Sequence, residues 1–198
     1  MGNKHTLGLK LPTDPRWAAL AEENIEELLI DHAFCEQKAA SNAISISVKF
    51  PEYSEVVEQM IDVAREELEH YGRVHRKILE RGWVLGKERK DPYVKELMKF
   101  MKKGGSREAA LVEQLLLSAM IEARSCERFK LLTERIADED LKSFYYELMV
   151  SEAGHYRLFL DLARKYGEGI DVDARWQEYL DQEARIVAEL GKESTMHG

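Results

Sequence analysis

Two copies of the pattern Glu-x-x-His are the residues of this chain best suited to chemistry. They are Glu67–His70 and Glu152–His155. In an α-helix, residues three positions apart lie on one face about one turn apart, so each pair can bind one metal ion. A single pair of this kind is a weak signal, because it arises by chance in a chain rich in glutamate.

A further glutamate precedes each pair at nearly the same distance. Glu36 lies 31 residues before Glu67, and Glu122 lies 30 residues before Glu152. Four carboxylates and two imidazoles with this spacing are the ligand set of di-iron and di-manganese proteins built on ferritin-like four-helix bundles. We therefore predict a catalytic pair of metal ions bound by six residues, which are Glu36, Glu67, His70, Glu122, Glu152 and His155.

The ligand types also indicate which metal is expected. Mixed carboxylate and imidazole ligands suit iron or manganese better than copper or a structural zinc ion. The competing interpretation is that the glutamates are partly exposed and that the histidines are ordinary core residues. That interpretation is the stronger one for any single residue, but it does not account for six residues in matching positions of two halves.

Apolar periodicity and helix-breaking residues predict the elements that position these side chains. The prediction is a first helix from Pro15 or Glu22 to Val48, broken once, and further long helices over 52–81, 107–136 and 139–166. A short helix over 92–101 lies in the crossover, and an extra C-terminal helix covers 172–190. All six proposed ligands fall in the apolar stripes. The predicted fold is therefore all-α, a ferritin-like four-helix bundle with a crossover short helix and an extra C-terminal helix.

Length and composition predict one domain over residues 1–198, with an N-terminal arm over 1–12 and a flexible tail over 191–198. No apolar run approaches the roughly 18 residues that a membrane span requires, so no membrane partner is expected. No signal peptide is recognisable, and the expected location is the cytoplasm. The two cysteines, Cys35 and Cys126, lack the spacing of a zinc or redox motif and are expected to be buried, reduced thiols.

One segment differs in charge from the rest of this acidic chain, whose net charge is −8. Between Arg73 and Arg107 there are twelve basic and only four acidic residues, interleaved with Trp83, Tyr93 and Phe100. Clustered cations with aromatic side chains are typical of nucleic-acid binding, although a solvated crossover face is an equally good interpretation. The candidate contacts are Arg73, Arg76, Lys77, Arg81, Lys87, Arg89, Lys90, Lys99, Lys102 and Lys103.

The string Ile-Glu-Ala-Arg-Ser-Cys-Glu-Arg-Phe over 121–129, taken with the six ligands, resembles the MiaE-type tRNA-(2-methylthio-N6-isopentenyladenosine) hydroxylases. The resemblance extends from about Leu11 to Leu190, and the string is its specific part. It implies a non-haem di-iron monooxygenase that hydroxylates the isopentenyl group of the modified adenosine next to the tRNA anticodon. The implied cofactors are two iron ions, with O2 as co-substrate and an external electron donor. The implied partners are the anticodon arm and an electron-transfer protein or reductase.

Two other functions remain open at the level of sequence. Bacterioferritins and rubrerythrins share this ligand set, so iron storage or peroxide detoxification is the main alternative. A rubrerythrin-like protein is less favoured, because the chain has no CxxC pair for a second iron site. A metal-free helical interaction module that uses the basic segment is the third hypothesis.

Overall fold

The computed structural model describes residues 6–88, 90–190 and 196. These residues form seven α-helices and no β-strand, which confirms the predicted all-α class. The helices are α1 (Arg16–Glu23), α2 (Ile25–Lys49), α3 (Ser54–Glu80), α4 (Pro92–Phe100), α5 (Arg107–Arg135), α6 (Glu139–Tyr166) and α7 (Val172–Leu190). Their bounds agree with the predicted helices to within about two residues.

The break predicted in the first helix lies at Asn24. Its backbone angles, φ −129° and ψ 41°, are not helical and separate α1 from α2. The N–H of Leu28 donates to the carbonyl of Asn24 at 2.9 Å and begins the second segment. Helix α2 therefore begins at Ile25 as a separate element with its own buried stripe.

The described chain forms two compact units. One contains α2 and α3, within residues 23–90, together with Met196. The other contains α1 and α4–α7, within residues 6–22 and 91–190. The single domain over 1–198 stays a prediction. Of the predicted arm, residues 6–12 are described, and the predicted tail lies outside the described residues except for Met196, which is fully buried.

The first of these units is an α-helical hairpin with a continuous apolar interior. Its buried side chains on α2 include Leu28, Leu29 and Ile46. The sequence pattern predicts Ala39 as a member of this stripe, but Ala40 is buried and Ala39 is half-buried. A straight helix has 3.6 residues per turn, so a stripe read in steps of three and four drifts by about 20° per heptad. Helix α3 ends at Glu80, and Gly82 follows its C-cap residue with a φ of 76° that suits glycine.

The second unit is built around α5, which is buried on nearly all sides between Leu111 and Phe129. Ser106 caps its N-terminus by accepting a hydrogen bond from the N–H of Ala109 at 3.2 Å. Asp138 caps α6 in the same way. Within the residues that the structure describes, no helix is both long enough and apolar enough to span a membrane.

Candidate metal centre

The α2–α3 hairpin brings three of the predicted ligands together. Glu36, Glu67 and His70 are at most 6% exposed. His70 Nδ1 lies 3.7 Å from Glu36 Oε2 and 3.6 Å from Glu67 Oε2. Each residue offers a ligand atom within 4.8 Å of those of the other two. We call these three residues the first triad.

On α3 the predicted ligand Glu67 differs in burial from the two glutamates beside it. Glu67 is fully buried, whereas its neighbours Glu66 and Glu69 are exposed. Glu67 and His70 are three residues apart and share the buried face, so one helix supplies two donors of different chemistry to the same point.

A residue that the sequence analysis did not single out completes this cluster. His32 lies one turn before Glu36 on α2, is fully buried, and places Nε2 at 2.5 Å from Glu36 Oε1. Burial raises the pKa of the Glu36 carboxyl, but hydrogen bonds to Glu67, His32 and His70 outweigh it and lower that pKa to about 2. The signal that could have identified His32 is its spacing of four residues from a predicted ligand.

Helices α5 and α6 bring the other three predicted ligands together. Glu122, Glu152 and His155 are 6%, 2% and 5% exposed. His155 Nδ1 lies 3.4 Å from Glu152 Oε2, and each of the three residues offers a ligand atom within 4.8 Å of the other two. We call these residues the second triad. It repeats the first in composition, with one Glu facing a Glu-x-x-His pair.

The donor set of each triad fits a transition metal. Two carboxylates and one imidazole offer hard oxygen atoms and a borderline nitrogen, which iron and manganese accept together. Buried carboxylates are costly unless a cation or hydrogen bonds compensate their charge, and a divalent ion would do so at this point. The residues present therefore fit the metal pair that the sequence predicts.

The two cysteines differ in environment. Cys126 is buried and its Sγ donates to the carbonyl of Met149 at 3.4 Å. Burial and the nearby charge of Glu152 raise its pKa to about 12, so it stays a thiol. Cys35 is only half-buried, contrary to the expectation that both would be buried, because it lies about 100° around α2 from Glu36, at the edge of the buried stripe.

The string over 121–129 contains a buried ionic network beside the second triad. Arg124 is fully buried and its Nε donates to Glu183 Oε1 of α7 at 2.7 Å. Its other nitrogens donate to Glu127 at 2.9 Å, to the carbonyl of Leu11 at 2.9 Å and to Thr13 at 3.1 Å. This network joins the N-terminal segment, α5 and α7.

Arg128 extends the same cluster by a cation–π contact. Its guanidinium carbon lies 4.7 Å from the ring centroid of Trp17, and the residue is fully buried. Burial and the neighbouring charge of Arg124 lower its pKa to about 10. Two arginines in one buried cluster require the carboxylates of Glu127 and Glu183 to balance them.

The basic segment is mostly exposed, as a binding surface requires. Six of the predicted contacts are exposed, three are half-buried, and Arg89 lies outside the described residues. The exposed ones are Arg76, Lys87, Lys90, Lys99, Lys102 and Lys103, and the half-buried ones are Arg73, Lys77 and Arg81. Several are paired locally, including Lys99 with Glu96 at 2.6 Å and Lys102 with Glu178 at 3.2 Å.

The interleaved aromatic residues do not support the predicted stacking on bases. Tyr93 is fully buried, and its hydroxyl donates to Glu183 Oε1 at 3.3 Å. Phe100 is half-buried and packs edge-on against Tyr179, with ring centroids 5.1 Å apart. Both rings belong to the apolar side of α4 that faces α7, so the aromatic part of the prediction is wrong for these two residues.

Comparison with known proteins supports the same chemistry. A family model described as tRNA-(MS[2]IO[6]A)-hydroxylase (MiaE) matches residues 3–198. A protein of Pseudomonas putida named tRNA 2-(methylsulfanyl)-N(6)-isopentenyladenosine(37) hydroxylase is 40% identical over 159 residues, covering 80% of this chain and 76% of its own. The protein of that name in Salmonella typhimurium is 28% identical, covering 79% of this chain and 75% of its own.

A solved structure is also similar over almost the whole length. It is a protein of Synechococcus described as having aldehyde deformylating oxygenase activity. The TM-score is 0.88 with 30% sequence identity, and the match covers 96% of this chain and 95% of the other. The fold is therefore ferritin-like, as predicted.

Proposed function

Because this chain belongs to the MiaE family of tRNA hydroxylases, we propose that it hydroxylates the isopentenyl group of 2-methylthio-N6-isopentenyladenosine next to the tRNA anticodon. The chain is an oxidoreductase, and its family match over residues 3–198 favours this activity over iron storage or peroxide detoxification. The proposed location of the reaction is the cytoplasm, because the proposed substrate is a tRNA. The Synechococcus protein has the same fold and a different named activity, so the substrate assignment depends on the family and not on the fold.

The single structural observation that carries the proposal is the pair of buried triads with identical composition. The metal ligands would be the six residues predicted from the sequence, with each triad holding one ion. Iron is the expected metal, and manganese fits the same donors. Two bound iron ions, reduced by an external donor in each turnover, would supply the two electrons that O2 requires.

The overall reaction converts one C–H bond of the prenyl group to C–OH. One atom of O2 enters the product and the other leaves as water, which requires two electrons and two protons. An electron-transfer protein or reductase of unspecified type is the proposed source of the electrons. The apolar walls of the α2–α3 hairpin and the buried length of α5 exclude water from the ligands.

The basic segment is the proposed contact for the phosphates of the anticodon arm. Its exposed cations on α3 and around α4 can pair with phosphates without any change in the core. Charge is the basis of this contact, because the rings of Tyr93 and Phe100 pack against α7 and do not stack on bases.

The test is to compare Glu67→Gln with Glu66→Gln. Glu67 is a proposed ligand, and its exposed neighbour Glu66 provides a matched control on the same helix. Each protein is loaded anaerobically with Fe(II), assayed for bound iron, and incubated with prenylated tRNA, O2 and a reductant. We expect the wild type and Glu66→Gln to add one oxygen atom to the modified nucleoside, measured by mass spectrometry.

The Glu67→Gln variant should bind less iron and lose turnover by at least about 100-fold. Unchanged iron binding and turnover in Glu67→Gln would refute the ligand assignment. If the wild type binds iron but forms no tRNA product, the proposed substrate is wrong, whereas the proposed metal centre is still supported.

A further inference from the structure

The two oxygens of the Glu36 carboxylate face different partners. Oε1 lies 2.5 Å from Nε2 of His32, and Oε2 lies 3.7 Å from Nδ1 of His70. His32 comes from the preceding turn of the same helix, so its position relative to Glu36 is fixed by helix geometry. One oxygen is therefore engaged away from the triad and the other is directed toward it.

We propose that His32 is a positioning residue that donates a hydrogen bond from Nε2 to Glu36 Oε1 and thereby presents Oε2 as the metal-binding atom. The inference rests on the proposed function, since it takes Glu36 to be a ligand. His32 itself does not bind the metal in this account. It restricts a carboxylate that could otherwise rotate or bind through both oxygens.

Burial makes this hydrogen bond effective. The side chains of His32 and Glu36 are 1% and 5% exposed, so water does not compete for either group. A hydrogen bond to an ionised carboxylate is stronger in such a medium than at the surface. Hydrogen-bond partners that orient metal ligands typically contribute about 10–100-fold to metal affinity.

The second triad has a different residue at the corresponding position. Four residues before Glu122 the chain has Ser118, whose hydroxyl donates to the carbonyl of Gln114 at 3.1 Å. The two halves match in their ligands and differ in this supporting residue. The consequence is selective, because changing His32 should weaken the metal ion bound at the first triad and leave the ion at the second triad unaffected.

Three substitutions separate the hydrogen bond from the space that His32 fills. His32→Gln places an amide N–H at the same number of bonds from Cβ as the imidazole Nε2. His32→Asn carries the same group one bond shorter, and His32→Leu removes the donor. Co(II) is the probe, with binding followed by its visible absorption, so the readout needs neither O2 nor tRNA.

For His32→Leu and His32→Asn, we expect one of two Co(II) ions to bind about 10–100-fold more weakly, with an altered absorption spectrum for that ion. His32→Gln should bind both ions with nearly wild-type affinity and spectrum. Thermal unfolding of the metal-free proteins is measured in parallel. If His32 had a purely structural role, the loss of Co(II) affinity in each variant would follow its loss of thermal stability. In that case His32→Gln would not recover Co(II) affinity beyond what its thermal stability accounts for.

Glu36→Gln distinguishes failure of this inference from failure of the proposed function. If Glu36→Gln keeps two Co(II) ions at wild-type affinity, Glu36 is not a ligand and the proposed centre is wrong. If Glu36→Gln loses one ion while His32→Leu keeps both, the centre stands and the positioning role of His32 is refuted. The role is equally refuted if His32→Gln binds as weakly as His32→Leu.

Discussion

At the scale of single residues, burial beside a suitable partner matters more than residue type. Glu66, Glu67 and Glu69 are chemically identical, yet Glu67 alone among them is buried. Periodicity predicted Glu67 as the ligand, because a ligand in a bundle must lie on the apolar face. The spacing of four residues also places His32 one turn before Glu36. Periodicity could not identify Thr13 and Glu183 as partners of Arg124, since those contacts join residues that lie far apart in the sequence.

Arg124 gives a prediction about stability. Replacing it with Met leaves the Glu183 carboxylate, which is 0% exposed, without its cation, and the free energy of unfolding should fall by about 3–5 kcal/mol. The surface pair of half-buried Lys142 and exposed Glu139 is the control, and Lys142→Met should change that free energy by less than about 1 kcal/mol. Urea unfolding of the metal-free proteins measures both. A loss below 1 kcal/mol in Arg124→Met would show that the network is not a structural core.

At the scale of elements, helix bounds and the break at Asn24 followed from the sequence because caps, glycines and stripes act locally. The prediction was less accurate where an element depends on distant contacts. Tyr93 and Phe100 lie in a basic segment and were assigned to its surface, but α4 is amphipathic and turns both toward α7. The local charge pattern therefore predicted the exposed side of α4 correctly, but it did not predict that the other side of α4 is buried against α7.

The junction of α4, α5 and α7 gives a prediction about pH. Arg175 donates to Glu113 at 2.7 and 2.9 Å, and the N–H of Lys102 donates to the same carboxylate at 3.0 Å. Burial raises the pKa of Glu113, but these hydrogen bonds outweigh it and hold that pKa below 4.5. Because the folded pKa is lowered, the ionised carboxylate stabilises the fold above pH 4.5, and this contribution is lost as the pH falls through the folded pKa.

Glu113→Gln should therefore lower the free energy of unfolding most at neutral pH, by about 1.5–3 kcal/mol. The difference from the wild type should shrink as the pH falls below 4.5 and through the lowered pKa of Glu113. Denaturant unfolding at a series of pH values measures this difference. A difference that stays constant from pH 7 to pH 3 would mean that Glu113 is not ionised in the folded protein.

At the scale of the whole molecule, one basic segment contrasts with the acidic remainder of the chain. The chain has a net charge of −8 and carries one cationic segment. The exposed lysines of that segment lie on the surface and are not part of the apolar core. Composition revealed this segment because charge runs are visible in sequence. It could not reveal which cations are already paired, as Lys99 is with Glu96, since that depends on side-chain geometry.

The basic segment gives a prediction about tRNA binding. Lys90 and Lys103 are exposed within it, and Lys130 and Lys165 are exposed outside it. Lys90→Glu/Lys103→Glu should weaken tRNA binding and reduce the slope of log affinity against log salt by about 0.9 per lost phosphate contact. Lys130→Glu/Lys165→Glu makes the same change in net charge and should bind nearly as the wild type. Equal weakening by both pairs would mean that net charge, not the segment, governs binding.

The most direct test of the central claim is the location of iron in crystals of the Fe(II)-loaded protein, from anomalous diffraction at the iron edge. The account predicts two anomalous peaks per chain, one against Glu36, Glu67 and His70 and the other against Glu122, Glu152 and His155. Iron peaks at other residues, or no peaks at either triad in iron-loaded crystals, would contradict it.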